Sequence, residues 1–242
     1  MHISSVGGAG PDQPSPAQVR ALQLRTSPPE NEVPAVLPAV AVLGRTAEVA
    51  VAVTGFRLFT TGIQLDLIVR LRTDPVGPLR FRLHELIGFF GHGDDSAADQ
   101  RLLLGLDNAD GRTVTNLTGP AWPAPGEAEP DPRRPMLMPA GGGGGDRSLD
   151  QSCWLTPVPP PGPLTFVCAW PAFRITETRT VLDLSGLADA AAAVQELWPW
   201  EPPQDQPHEP VPPQVPAGSW FAQAGMTSEP PVGTDPVTPP PG

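Results

Sequence analysis

The segment most informative about secondary structure is Ser152–Trp170, S-C-W-L-T-P-V-P-P-P-G-P-L-T-F-V-C-A-W. Two runs with strand-like composition flank a Pro-Pro-Pro-Gly segment, and this pattern is typical of two strands joined by a turn. If the turn is symmetric about Pro160 and Pro161, the two runs form an antiparallel hairpin in which Cys153 faces Cys168. The segment therefore predicts β-sheet and a definite register.

The predicted hairpin has two different faces, because successive side chains in a strand point to opposite sides of the sheet. Trp154 and Val167 lie on the outer face, where we expect the C-terminal helix. The residues expected on the core face are Cys153, Leu155, Phe166, Cys168 and Trp170.

Cys153 and Cys168 are the only two cysteines in the chain. Opposed residues of an antiparallel pair have Cβ atoms ~4.5–5.5 Å apart, whereas a disulfide requires ~3.5–4.5 Å. A redox pair is therefore geometrically feasible but would strain the sheet. The alternative is two buried thiols that pack as small hydrophobic groups, which a reducing cytosol favours.

The segments before this hairpin also favour β-structure. Residues Ile63–Leu71 alternate between apolar and polar side chains, with Ile68 as the exception, so one face of this strand is buried. Thr60-Thr61-Gly62 before it predicts a hairpin loop with Gly62 in the left-handed conformation. Asp107–Gly111 predicts a second hairpin turn. Several short strands separated by turns predict a mainly β fold, an antiparallel β-sandwich of immunoglobulin-like build.

Composition divides the chain into three parts. Residues 1–35 form an N-terminal arm and residues 199–242 a proline-rich acidic tail, and both are expected to be disordered because they bury little apolar surface. The sandwich domain spans residues 36–198. It ends in the one expected α-helix, Gly186–Trp198, with Ser185 as its N-cap.

The charge distribution argues against nucleic-acid binding. The net charge is −11, and residues 180–242 contain eight acidic residues and neither arginine nor lysine. A nucleic-acid site requires a concentrated basic patch. No run approaches the ~18 apolar residues of a membrane span, and no signal peptide is recognisable. We therefore expect a cytoplasmic protein without nucleic-acid or membrane partners.

One region could supply ligands to a metal. Its imidazole and carboxylate groups are those of His84, Glu85, His92, Asp94 and Asp95. The segment H-E-L-I-G lacks the second histidine of the H-E-x-x-H zinc pattern. A solvated loop is the alternative interpretation. No catalytic group and no cofactor is predicted.

Two glycine-containing segments resemble ligand loops only superficially. Gly141–Gly145 is not a phosphate loop because no Gly-Lys-Ser/Thr follows it. The run predicts a flexible hinge, and close approach of a ligand to the backbone is the alternative. Asp107–Gly111 lacks the ligand spacing of a calcium loop, so a turn is expected there.

The C-terminal tail contains the candidate interaction motifs. Pro207, Pro210 and Pro213 have the P-x-x-P spacing that favours polyproline II and docking on an aromatic groove. Trp220 and Phe221 form a small apolar island within the tail. A passive acidic linker is the alternative interpretation.

Two segments carry a resemblance to a known family. These are M-P-A-G-G-G-G-G-D, followed by C-W-L-T-P-V-P-P-P-G-P-L-T-F-V-C-A-W-P, and the later A-A-A-A-V-Q-E-L-W-P. The chain resembles a family of uncharacterised proteins from high-GC actinobacteria over roughly residues 45–199. The resemblance implies no activity.

Two functions follow from these patterns. The first is a non-enzymatic β-sandwich module that binds an unidentified protein through its proline-rich tail or its sheet surface. The alternative is a small-molecule- or metal-binding enzyme or sensor that uses the His84, Glu85 and His92 region.

Overall fold

The computed structural model describes residues 15–74, 83, 87, 100–117, 131–202 and 218–222. The chain divides into two compact units, Met1–Pro202 and Pro203–Gly242. Among the described residues of the first unit, the α-helices and strands are α1 (Pro16–Thr26), β1 (Glu32–Val33), β2 (Ala35–Leu37), β3 (Ala41–Arg45), β4 (Val49–Leu58), β5 (Ile63–Leu71), β6 (Leu103–Asp107), β7 (Thr113–Thr115), β8 (Met136–Gly144), β9 (Ser148–Thr156), β10 (Pro163–Trp170), β11 (Ile175–Asp183), α2 (Leu187–Ala191) and β12 (Gln195–Glu196).

Six strands form a large antiparallel sheet in the order β2-β4-β5-β9-β8, with β3 paired to the same edge of β4 as β2. The predicted alternation along Ile63–Leu71 is confirmed, because the odd-numbered residues of this strand are buried and the even-numbered ones are partly or fully exposed. A strand in the middle of a sheet with one face on the core requires this period of two.

Four strands form a small antiparallel sheet in the order β11-β10-β6-β7. The predicted hairpin around Asp107–Gly111 is confirmed, because β6 and β7 pair directly. Gly111 has a φ of 78°, which is the left-handed conformation that favours glycine in such a turn. The Asn108 carbonyl accepts a hydrogen bond from Gly111 N at 2.9 Å.

The two sheets face each other across one hydrophobic core, so the predicted mainly β antiparallel sandwich is confirmed. Phe56 of β4 and Phe166 of β10 meet in this core with ring centroids 6.2 Å apart. The five residues expected on the core face are all fully buried within it: Cys153, Leu155, Phe166, Cys168 and Trp170. The immunoglobulin-like build stays a prediction.

The predicted hairpin Ser152–Trp170 is wrong, although both of its strands exist. Strand β9 pairs with β5 and β8 in the large sheet, and β10 pairs with β6 and β11 in the small sheet. Each strand therefore uses both of its edges for other neighbours. The intervening Pro157–Gly162 segment connects the two sheets, and its prolines lack the N–H groups that a continued ladder needs.

The predicted C-terminal helix is much shorter than the expected Gly186–Trp198. It spans Leu187–Ala191, and Gly186 rather than Ser185 occupies the N-cap. The backbone beyond it is drawn into strand pairing, because β12 pairs with β1. Of the expected apolar stripe, Leu187 is buried and Trp198 is 59% exposed.

The predicted disorder of residues 1–35 is wrong for the part that the structure describes. Ser15 caps α1 through a capping box, since Gln18 N donates to Ser15 Oγ and Ser15 N donates to Gln18 Oε1. The helix lies on the outer face of the large sheet, where Leu24 O accepts a hydrogen bond from Trp154 Nε1 at 3.2 Å. Trp154 is thus on the predicted outer face, but under the N-terminal helix.

A second set of hydrogen bonds connects the segment of β1 to the segment of β12. The buried Asn31 side chain donates to Glu196 Oε1 at 3.2 Å and to the Trp198 carbonyl at 2.8 Å. Leu197 N donates in turn to the Asn31 carbonyl at 2.8 Å. Asn31 is therefore joined to residues 196–198 by backbone and side-chain hydrogen bonds.

Candidate functional site

The candidate metal ligands lie outside the described residues. These are His84, Glu85, His92, Asp94 and Asp95, so a metal site in this region stays a prediction. Within the described part of the chain, no group of three or more histidine, cysteine, aspartate or glutamate side chains could hold a metal ion.

The two cysteines occupy opposite sheets of the sandwich. Cys153 on β9 is placed beside Leu65 of β5, and Cys168 on β10 is placed beside Leu104 of β6 and Thr178 of β11. They are therefore not the cross-strand neighbours that the hairpin register predicted. Both are free thiols with fully buried side chains.

Burial makes both thiols poor nucleophiles. It raises the pKa of Cys168 from its ordinary value of 9.0 to about 11, because the apolar core disfavours the thiolate. Burial also raises the pKa of Cys153, and the nearby Asp66 carboxylate adds to this effect. We therefore expect little thiolate at neutral pH, and thiol reactivity depends on thiolate.

The tail motifs belong to the second unit. Pro207, Pro210 and Pro213 lie outside the described residues. Trp220 and Phe221 are 71% and 68% exposed, and their rings meet edge to face with centroids 5.2 Å apart. The pair thus presents aromatic surface to solvent, as a short interaction motif requires.

The glycine run Gly141–Gly145 is not the expected hinge between strands. Most of it continues β8 and pairs with β9, with a bulge between Pro139 and Gly142. A Cβ atom at Gly142 would lie 2.6 Å from the Asp150 carbonyl oxygen. This glycine therefore serves close approach between two strands of the chain itself.

A polar cluster crosses the outer face of the large sheet. Arg57 Nη2 lies 2.5 Å from Asp66 Oδ1, and Ser152 Oγ donates to the same carboxylate oxygen at 2.8 Å. The three residues stand on the adjacent strands β4, β5 and β9. The serine proton is directed at a carboxylate that already neutralises an arginine, which is a structural arrangement rather than that of an activated nucleophile.

A concave surface lies on the outer face of the small sheet, and we call it the small-sheet groove. It has a volume of about 280 Å³. Its lining residues come from β6, β7, β10 and β11 and from the residues that follow β7: Leu103, Leu104, Gly105, Leu106, Asp107, Thr113, Val114, Thr115, Asn116, Leu117, Val167, Ala169, Glu177 and Arg179.

Aliphatic side chains form the walls of the small-sheet groove. Leu103 is 37% exposed and Leu117 is 48% exposed. Val167, which the sequence placed on the outer face, contributes the wall on β10. The rim carries an ion pair between Arg179 Nε and Glu177 Oε1 at 3.4 Å. Apolar walls with a few polar groups are the usual composition of a binding surface.

The sequence did not predict this groove, because strand β6 and the residue before it form a continuous apolar run. Leu102, Leu103 and Leu104 follow one another, so alternation does not separate the core face from the outer face. Gly105 was the available signal. A glycine inside a strand often marks a place where a ligand or another backbone approaches closely.

Comparison with known proteins adds no family to this description. No protein-family model, curated protein or solved structure matches the chain. None of the helices in the described residues is long and apolar enough to cross a membrane.

Proposed function

We propose that this protein is a non-enzymatic β-sandwich module that binds another protein through the outer face of its small sheet. The observation that carries the proposal is the small-sheet groove, where Leu103 and Leu117 expose aliphatic side chains. Val181 on β11 lies opposite Thr165 of β10, and its side chain is 62% exposed. Clustered exposed apolar side chains with a polar rim are characteristic of protein interaction sites.

The remaining features fit the same role. The exposed pair Trp220 and Phe221 offers a second contact in the tail, and aromatic side chains often carry much of the binding energy at interfaces. The two free, buried thiols support a reducing cytoplasmic location. The resemblance to actinobacterial proteins is compatible with this role and names no partner.

Site-specific photo-crosslinking in cells that make the protein tests the proposal. A benzophenone amino acid at Val181 reports on the small-sheet groove. The same group at Val36, which is 72% exposed on β2 of the large sheet, is the matched control. We expect an adduct of defined mass from Val181 that disappears when Leu103→Glu places a charge in the groove.

Two outcomes would overturn the proposal. One is equal adduct formation at Val181 and Val36, since both positions would then report only random encounters. The other is an adduct at Val181 that persists at full yield in the Leu103→Glu variant, because the groove would then not contribute to binding.

A further inference from the structure

The glycine at the floor of the small-sheet groove is not required by the fold. Gly105 lies in the middle of β6, which is flanked by β10 and β7. It does not have a positive φ. A Cβ atom there would lie 3.6 Å from Val167 Cβ and 3.8 Å from the Val114 carbonyl oxygen, which are ordinary contact distances.

Glycine inside a strand therefore costs stability here without a compensating internal contact. Glycine loses more conformational freedom on folding than alanine does. What the missing side chain does provide is depth, because Gly105 lines the groove between Leu103 and Val167. A larger residue at this position would fill the space that the walls enclose.

The size and chemistry of the groove restrict its occupant. Its volume of about 280 Å³ is just below the ~300–1,000 Å³ of sites for drug-sized ligands, so one large side chain suits it better than a cofactor. The walls are aliphatic, whereas the rim contains the carboxylates of Glu177 and Asp107 and the guanidinium of Arg179.

Tryptophan matches this combination. Its ring is a large apolar surface, its indole N–H is a donor only, and carboxylates are acceptors. An arginine at the rim can also lie over an indole face, which is the aromatic surface that cations prefer. Building on the proposed function, we infer that the small-sheet groove receives a tryptophan side chain of the partner protein.

Titration of the full chain with N-acetyl-L-tryptophanamide tests this inference, with amide chemical shifts as the readout. We expect saturable shifts along β6, β7 and β10. N-acetyl-1-methyltryptophanamide, which cannot donate from the indole, is expected to bind at least three-fold more weakly. N-acetyl-leucinamide is expected to bind at least ten-fold more weakly than the tryptophan probe.

Two glycine variants provide the matched comparison. Gly105→Val fills the groove and is expected to weaken the tryptophan probe at least ten-fold. Gly55→Val alters a strand glycine of the large sheet where an added Cβ atom would meet no atom within 4 Å, and it is expected to leave binding unchanged. Gly105→Ala, which fills less of the groove, repeats the test if the valine variant does not fold.

The inference is overturned if wild type shows no saturable shifts, if the leucine probe binds as tightly, or if Gly105→Val and Gly55→Val bind equally. It is also overturned if N-acetyl-1-methyltryptophanamide binds as tightly as the tryptophan probe, because the rim carboxylates would then not accept a hydrogen bond from the indole. These failures are distinct from failure of the proposed function, because the Val181 adduct depends on the groove whichever side chain the partner inserts.

Discussion

A Cβ atom at Gly62 would lie 2.5 Å from the Leu155 carbonyl oxygen and 2.6 Å from the Trp154 ring. The sequence predicted a left-handed conformation for this glycine, but Gly62 is not among the residues with a positive φ. Its role is close packing between the loop and the neighbouring strand. Turn composition predicts a glycine of this kind without revealing which of the two reasons requires it.

We therefore expect Gly62→Ala to destabilise the protein by ~1–3 kcal/mol, as overpacking of a well-packed site does. Gly55→Ala is the matched control, because its added methyl group meets no atom within 4 Å. Urea unfolding curves of both variants measure the difference. Equal stability of the two variants would contradict the packing role of Gly62.

The buried thiols predict a loss of stability at alkaline pH. A thiol whose pKa is higher in the folded state than in the unfolded state contributes stability below the unfolded pKa and loses it as the pH rises. For Cys168 this loss extends from pH 9.0 to about 11, at up to ~1.4 kcal/mol per pH unit.

Denaturant unfolding at pH 8, 9, 10 and 11 measures this dependence, and Cys168→Ala is the comparison. The variant is expected to have a lower stability at pH 8 and a shallower decline above pH 9. A decline of the same slope in the variant would show that Cys168 does not contribute to it.

At the scale of elements, the sequence predicted strand positions better than strand partners. Composition and alternation placed strands at Ile63–Leu71 and on both sides of Pro157–Gly162, and the buried face of each was correct. Symmetry about a turn could not reveal that β9 already has two neighbours. Pairing depends on tertiary contacts from distant parts of the chain, which local patterns do not contain.

For the helices, the positions themselves were not predicted correctly. Helix α1 has no buried residue, so it lacks the apolar stripe by which an amphipathic helix is recognised. Helix α2 is shorter than its pattern because the pairing of β12 with β1 competes for the following backbone. The small-sheet groove was missed for a related reason, since an apolar run such as Leu102–Leu106 does not reveal which face is covered.

The hydrogen bonds of Asn31, which connect β1 to β12, give a prediction for these elements. Asn31→Ala removes both side-chain hydrogen bonds from a buried position, and the loss of such partners costs ~1–3 kcal/mol. We expect amide hydrogen exchange to accelerate at residues 195–198. Hydrogen-exchange mass spectrometry resolves this segment from the rest of the chain.

Gln18→Ala is the control for this experiment, because it breaks the capping box of α1 and leaves Asn31 intact. It is expected to accelerate exchange within Pro16–Thr26 and to leave residues 195–198 unchanged. If both variants accelerate exchange at 195–198 to the same extent, the N-terminal segment acts as a whole and Asn31 has no special role.

For the whole molecule, the sequence predicted the class of fold. Its composition also changes near the C-terminal end. The described core lies within Met1–Pro202, and the acidic charge is concentrated after residue 180. The size of each sheet and the connection between them were not predictable, because they depend on pairing between segments far apart in the chain.

Truncation tests this organisation. A chain that ends at Pro202 keeps both sheets and the hydrogen bonds of Asn31, so we expect its melting temperature to stay close to that of the full chain. A chain that ends at Val194 loses β12 and the partners of Asn31, and a loss of ~1–3 kcal/mol lowers the melting temperature by several degrees at ~2–4 °C per kcal/mol. A chain that ends at Leu184 also loses the buried Leu187, and it is expected to unfold or aggregate.

Two outcomes would contradict this organisation. Equal melting temperatures for the Val194 and Pro202 chains would show that the hydrogen bonds of Asn31 do not stabilise the sandwich. A Pro202 chain as unstable as the Leu184 chain would show that residues 203–242 are part of the cooperative fold.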